Sequence, residues 1–292
     1  MGLLLAALAA VLFAVGAVLQ HEAAEDSTVG GSLKMRQLLR RPAFFAGQAA
    51  TLLGTTSQVA ALAFAPVAVV QPVLAGGLVV ALAIRSLRRR CWPVRLEILG
   101  AVLTTGGLAV FLVAAKPSHH DQPRLPSNLA VLVAVAVAVI LMAGLASLFK
   151  RGPGGALMCG AAAGISAGIA AVLISVGLRT LSSDGLAPAL AGAALWGALI
   201  TAVVAQIGGQ QAYSRGSLSW SLPALILLDP VAAIPAARLL LGERLEPGHA
   251  VVWVPAALVA AAGVVLLART GEGCRRPFGR SGRSAAASTL PV

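Results

Sequence analysis

The chain has 292 residues, of which 58% are hydrophobic and only 11% are Asp, Glu, Lys or Arg, and its mean hydropathy is +0.90. An ordinary soluble domain carries about 25% charged residues, whereas apolar runs of roughly 20 residues match a hydrocarbon core about 30 Å thick. A soluble helical bundle would show polar stripes at helical spacing, and stretches such as Ala130 to Leu145 have none.

Backbone amides in lipid must be satisfied within their own segment, so each run is predicted to be a helix. The first span runs from Gly2 to Leu19. The first basic residue is Lys34, so the positive n-region of a cleaved signal peptide is missing and the span is expected to stay as a helix. The second covers Ala43 to Phe64, the third Pro66 to Ile84 and the fourth Val94 to Ala115. The fifth runs from Asn128 to Phe149, the sixth from Gly155 to Leu178 and the seventh from Pro188 to Ala212. The eighth covers Leu218 to Leu241 and the ninth Ala250 to Ala268. The Gly-, Ser- and Arg-rich stretch 269–292 is expected to be a disordered basic tail.

The basic residues set an orientation. With nine helices, the segments after spans one, three, five, seven and nine share one side, and they hold 17 of the 22 Lys and Arg. The positive-inside rule then predicts an external N-terminus and a cytoplasmic C-terminus, in a multi-pass protein of the cell membrane. The net charge of +12 follows from this topology and from contact with anionic membrane lipids. A nucleic-acid partner is not expected, and oligomeric state is not encoded in these features.

The chain also carries a weak internal repeat. Leu87-Arg88-Arg89-Arg90-Cys91-Trp92-Pro93 precedes Leu241-Gly242-Glu243-Arg244-Leu245-Glu246-Pro247 by 154 positions, and each joins a long span to the last span of a half. Gln71-Pro72 and Leu222-Pro223 occupy similar places, as do Gly106-Gly107 and Ala262-Gly263. The copies are five spans apart, and an odd offset turns the second upside down. The predicted fold class is an all-α polytopic membrane protein with about nine transmembrane helices in two inverted-topology repeats, four plus five. The first repeat covers 1–115 and the second 127–268.

Ala63-Phe64-Ala65-Pro66, followed by Val70-Gln71-Pro72, resembles the AFAP…(V/T)-P run of the NIPA-type magnesium transporters. Gln206-Ile207, Ser217-Leu218, Leu222-Pro223 and the run Leu241 to Leu245 resemble that group's second half. The last run is also similar to the EamA domains of the drug/metabolite transporter superfamily. The resemblance covers nearly all of residues 1–268 and implies two inverted helical repeats around a central substrate cavity. The chain departs from the NIPA-type pattern in two places. Arg88 to Cys91 contains no carboxylate where that group has an Asn-Glu-Arg-Leu run, and Asp229 stands where it has an apolar residue.

Asp229 is the main chemical candidate. It lies near the middle of the eighth span, where a carboxylate costs about 2.5 to 3.5 kcal/mol on insertion scales. Such a residue can bind and release a coupling proton or cation; it can also hydrogen-bond a neighbouring helix or pair with Arg238. Gln71, Gln58, Gln206 and Gln210 are candidate substrate contacts, with Gln48 and Gln211 in the same constellation. Gln206 and Gln210, at i and i+4, share a helix face. Intramembrane amides need partners, so each can equally tie helices together. Pro66, Pro72, Pro223 and Pro230 mark expected helix irregularities at the cavity, where freed carbonyls can line a polar site.

Gln20 and Glu22, with His21, close the predicted first span as gate candidates or a solvated helix end. Gly160, Gly164 and Gly168 form a small-residue ridge for close helix packing. His119, His120 and Asp121 read as a polar external loop, Glu97 as an interfacial residue, and Glu243 as a helix end. Cys91, Cys159 and Cys274 share no metal or disulfide spacing. No phosphate-binding loop or nucleophile–base–acid set is present, so neither an enzyme nor a cofactor is expected.

These features lead to the expectation of a secondary transporter of a small polar molecule or metabolite, working by alternating access and coupled to protons. A NIPA-like magnesium or divalent-cation transporter is the alternative within that class. A non-transporting membrane scaffold or lipid-binding protein is the alternative outside it.

Overall fold

A computed structural model of the chain describes residues 1–29, 32–33, 35–88, 94–115, 153–215, 218–243 and 249–269, together with Ala134, Ala138 and Gly144. The rest of the predicted fifth span, the tail after 269, the His119–Asp121 loop, and most of the two repeat turns at 87–93 and 241–247 lie outside these residues.

The described chain is helical apart from one very short ladder. Helix α1 covers Gly2–Asp26 and is followed by β1 (Thr28–Val29), β2 (Ser32–Leu33) and α2 (Met35–Leu38). Then come α3 (Pro42–Phe64), α4 (Val67–Ala75), α5 (Gly77–Arg88) and α6 (Arg95–Ala115). After the gap lie α7 (Pro153–Asp184), α8 (Leu186–Ala191), α9 (Ala193–Arg215), α10 (Leu218–Leu240) and α11 (Ala250–Arg269). The two strands pair antiparallel, Thr28 opposite Leu33.

Six helical segments are long and apolar enough to cross a membrane: Gly2–Asp26, Val67–Arg88, Gly154–Asp184, Ala193–Arg215, Ser221–Leu240 and Ala250–Leu267. Large apolar side chains stand exposed along them, among them Leu4, Leu8, Trp196, Leu199, Val251 and Leu258. Contiguous apolar surface on this scale marks contact with lipid or protein rather than water. The chain is an all-helical multi-pass membrane protein. Helix α3 has 23 residues, about 34 Å at 1.5 Å per residue, but it carries Gln48, Thr51, Thr55, Thr56, Ser57 and Gln58 and is not among the six.

Four predicted boundaries need correction. Helix α1 continues past Leu19 to Asp26, so Gln20, His21 and Glu22 lie inside it and do not close it. The third span is two helices, interrupted at Gly76 four residues after Pro72. The sixth continues past Leu178 to Asp184. The seventh starts as the separate short helix α8, because Gly192 takes an extended conformation (ψ 151°). By contrast, α10 is continuous through Pro223, Pro230 and Pro235, so these prolines do not end the helix, although each lacks the N–H of one helical hydrogen bond. Pro66 caps the start of α4 and Pro72 lies buried inside it.

Packing follows a reciprocal pattern. Helix α1 lies along α3 as α7 lies along α9, α1 touches α9 as α7 touches α3, α4 meets α10, and α6 pairs with α11. The α6–α11 contact is close, since a Cβ on Gly107 would stand 2.6 Å from the Ala260 nitrogen and one on Gly263 2.6 Å from the Thr104 nitrogen.

The ridge of Gly160, Gly164 and Gly168 packs on α10 in step. A Cβ on each would run into the carbonyl oxygen of Ser221, Leu225 and Asp229 respectively. Two apolar clusters bracket the middle of the bundle. One gathers Ala6, Ala9, Ala61, Leu62, Val67, Val70, Val172, Ala237 and Leu241. The other gathers Ala14, Val18, Leu78, Tyr213, Leu222, Val264 and Leu267.

Candidate functional site

Between these clusters lies a cavity of about 180 Å³. Helix α1 contributes Phe13, Ala17 and Gln20, and α3 contributes Thr51, Thr55 and Gln58. Small residues of α7, chiefly alanines, form one wall, and α9 adds Gln206, Gly209 and Tyr213. Leu225 and Asp229 of α10 complete it. None of the four predicted proline irregularities is among these lining residues.

Asp229 is half-buried, and its carboxylate is reached from α4. With its amide nitrogen turned toward the carboxylate, Gln71 donates to Asp229 Oδ1 at 2.9 Å and Oδ2 at 3.2 Å. Gln71 itself is fully buried, so it acts on Asp229 without lining the cavity. No Lys, Arg or His among the described residues lies within 4.0 Å of this carboxylate, so the pairing with Arg238 does not form. The backbone of α10 can come this close to α7 because Gly168 has no side chain facing the Asp229 carbonyl.

A second polar group occupies the other end of the cavity. Gln206 Nε2 donates to Gln48 Oε1 at 2.9 Å, and Gln20 Nε2 donates to the same oxygen at 3.4 Å and to Thr51 Oγ1 at 2.8 Å. Gln210 Nε2 donates to Gln20 Oε1, while Gln210 Oε1 is buried and accepts nothing. Thr51 passes its own proton to Gly47 O at 3.0 Å. Three helices, α1, α3 and α9, are tied together by these amides. Beside them the His21 ring meets Tyr213 edge-on, with centroids 6.2 Å apart.

Gln20 is therefore a buried member of this network, 3% exposed, which rules out a solvated helix end. Glu22 stands apart from the cavity and takes both Nε and Nη2 of Arg88, at 2.9 and 2.8 Å. Gln211 also lies outside the network and accepts from Arg215 Nη2 at 3.2 Å. Cys159 is buried, as expected, but its Sγ also receives Arg215 Nη1 at 3.1 Å.

Two carboxylates read as peripheral in the sequence are buried. Glu97 is 3% exposed and accepts from Arg85 Nη2 at 2.6 Å and from the Val94 N–H at 3.1 Å. This ion pair fastens α5 to α6 and replaces the expected interfacial position. Glu243 follows the end of α10. Gly242 adopts φ 66°, a left-handed conformation that glycine takes without a Cβ penalty. The Glu243 N–H then returns to Ala237 O at 3.3 Å, closing the end of α10. This turn aims the side chain at the start of α4, where Oε1 accepts from Val67 N at 3.0 Å and Oε2 from Ala68 N at 3.1 Å. A carboxylate on two free N–H groups at a helix N-terminus is favourable both as a hydrogen-bond acceptor and against the helix dipole.

Gln48, Thr51, Thr55 and Gln58 share one face of α3, and their spacing of three, four and three residues is a polar stripe visible in the sequence. The Arg85–Glu97 pair and the reach of Glu243 to α4 have no such local signal. Among the described residues no cluster of His, Cys, Asp and Glu could hold a metal ion.

The chain is 29% identical over 250 residues to an uncharacterized protein of Corynebacterium glutamicum, a match covering 84% of this chain and 86% of that one. No family model matches the sequence, and no solved structure matches it.

Proposed function

We propose that the protein is a secondary active transporter of a small polar molecule, with a fold of the drug/metabolite transporter kind and a cycle coupled to protons through Asp229. The observation that carries this reading is a membrane carboxylate on the wall of a cavity, with no cation beside it among the described residues and an amide from another helix holding it. An intramembrane carboxylate of this sort marks a substrate or ion path. The cavity also weighs against a purely structural bundle, whose interior would be dry and closed.

The reciprocal packing supports two halves of inverted topology. Under that reading α1 corresponds to α7, α3 to α9, α4–α5 to α10 and α6 to α11, with the apolar stretch 128–149 as a ninth span. The distribution of Lys and Arg then favours an external N-terminus. The Asp229–Gln71 contact joins the two halves near mid-membrane. Glu243 on α4 joins them on the external side, and the glutamine network on the cytoplasmic side. Alternating access requires that one of the flanking links loosen while the other holds.

The test is a pH-jump flux assay in proteoliposomes against a panel of metabolites and cations, comparing the wild type with Asp229→Asn. Proton-driven flux in the wild type that disappears in the variant is expected; flux unchanged by the substitution defeats the coupling role. A NIPA-like magnesium transporter is the second reading, favoured by amide and hydroxyl oxygens close to a single carboxylate. Mg²⁺ usually keeps several waters and needs only one or two carboxylates. Selective Mg²⁺ uptake in the same vesicles would establish it.

A further inference from the structure

The inventory of the cavity narrows its occupant. Among the described residues, Asp229 is the only acidic side chain lining the cavity, and no Lys, Arg or His lines the wall. An anion would therefore enter against a carboxylate with nothing to balance its own charge. Of the amides on the wall, Gln20 spends both hydrogens, on Gln48 and Thr51, and Gln206 commits one to Gln48. Gln58 offers the cavity both an oxygen and an amide nitrogen. Charge, rather than a surplus of acceptors, therefore selects the occupant.

The rest of the wall is apolar. Phe13, Ala17, Ile174 and Leu225 line it with alanines of α7 and α9. A hydrated divalent ion would press its water shell against these side chains, whereas a carbon skeleton gains by contacting them. Size sets a further limit. A cavity of about 150 Å³ in another protein holds one benzene, so about 180 Å³ suits an occupant of roughly five to eight non-hydrogen atoms. A quaternary ammonium fits poorly: it has no N–H to donate to Asp229, and Phe13 and Tyr213 are too few to make an aromatic cage.

We infer that the cavity binds a small aliphatic primary ammonium, its nitrogen on Asp229 and its carbon chain against the alanine wall. This deepens the transporter reading and rests on it.

The experiment is calorimetric titration of the purified full-length protein in detergent with five probes of similar size: n-butylammonium, tetramethylammonium, butyramide, butyrate and Mg²⁺. Saturable binding of n-butylammonium is expected, at least tenfold tighter than any other probe. It should weaken at least tenfold in Asp229→Asn and survive in Asp229→Glu, which keeps the charge. Both variants are first shown to elute as the wild type does in size exclusion. Binding of butyrate or butyramide as tight as that of n-butylammonium overturns the inference, as does saturation by Mg²⁺ alone or full retention of binding in Asp229→Asn. If no probe binds while proton-driven flux persists in proteoliposomes, the inference falls and the transporter reading stands. If flux is absent as well, both fall.

Discussion

The two proline-bearing segments that meet at the cavity are held in place by different forces. The α4–α5 segment is broken at Gly76 and fixed by charge. Glu243 caps its first turn, Arg85 pairs with Glu97 near its far end, and Arg88 reaches Glu22 on α1. Helix α10 is continuous through three prolines and has no ion pair among the described residues. Its place is set by fit, with three of its carbonyl oxygens seated against three glycines of α7. Fit of this kind resists displacement in every direction, because close-packed interiors transmit strain. The charged contacts hold the α4–α5 segment near its ends, while its middle, with Val70, Gln71, Leu74 and Leu78 buried, packs into both apolar clusters. The Gln71–Asp229 contact is therefore a joint between a segment tied by charge at its ends and a helix seated against glycines.

Three substitutions would break or sharpen this contrast. The largest effect is expected at the buried ion pair. Arg85→Met leaves Glu97 charged and unpaired in the interior, at a cost of about 3–5 kcal/mol, read as a lower melting temperature in detergent. The double variant with Glu97→Met should recover most of that loss; if it does not, α5 is held by something other than the pair. Gly168→Ala tests the seat on the glycines. Its new methyl collides with the Asp229 carbonyl, and overpacking of this sort costs about 1–3 kcal/mol. It should also displace Asp229 and reduce proton-driven flux. A variant with wild-type melting and flux would show that α10 tolerates displacement. The smallest effect belongs to Glu22→Gln. Its partner Arg88 is half exposed, and surface pairs are worth about 0–1 kcal/mol. A melting shift as large as that of Arg85→Met would make this outer pair a principal anchor, contrary to its exposure.

Much of this arrangement could be read from the residues, to the extent that the physics is local. Apolar runs located the long helices, and α3 and α10 agree with their predicted bounds to within one residue. Asp229 stood out because a lone carboxylate in an apolar run has few uses. Gln206 and Gln210 were legible as one face of a helix. The break at Gly192 was not, because it sits in an alanine-rich stretch with no polar punctuation. The extension of α7 was missed because its last turn, Leu181-Ser182-Ser183-Asp184, resembles a loop in composition. Proline is an uneven guide in this chain: Pro66 stands at the α3–α4 break and Pro72 four residues before Gly76, but three prolines lie inside α10 without ending it. Gln48, Gln20 and Glu243 acquire their roles from partners 28 to 190 positions away, a distance at which a single sequence carries no pairing signal.

The reach of Glu243 has a consequence for biosynthesis. The N–H of Val67 donates to a carboxylate 176 positions later in the chain. Chains grow at about 5–20 residues per second, so α4 is made roughly 9 to 35 seconds before the group that completes its first turn. During that interval water or headgroups at the membrane surface must satisfy the exposed amides of Val67 and Ala68. The start of α4 is thus a site finished late, and its final closure reports that the end of α10 has arrived.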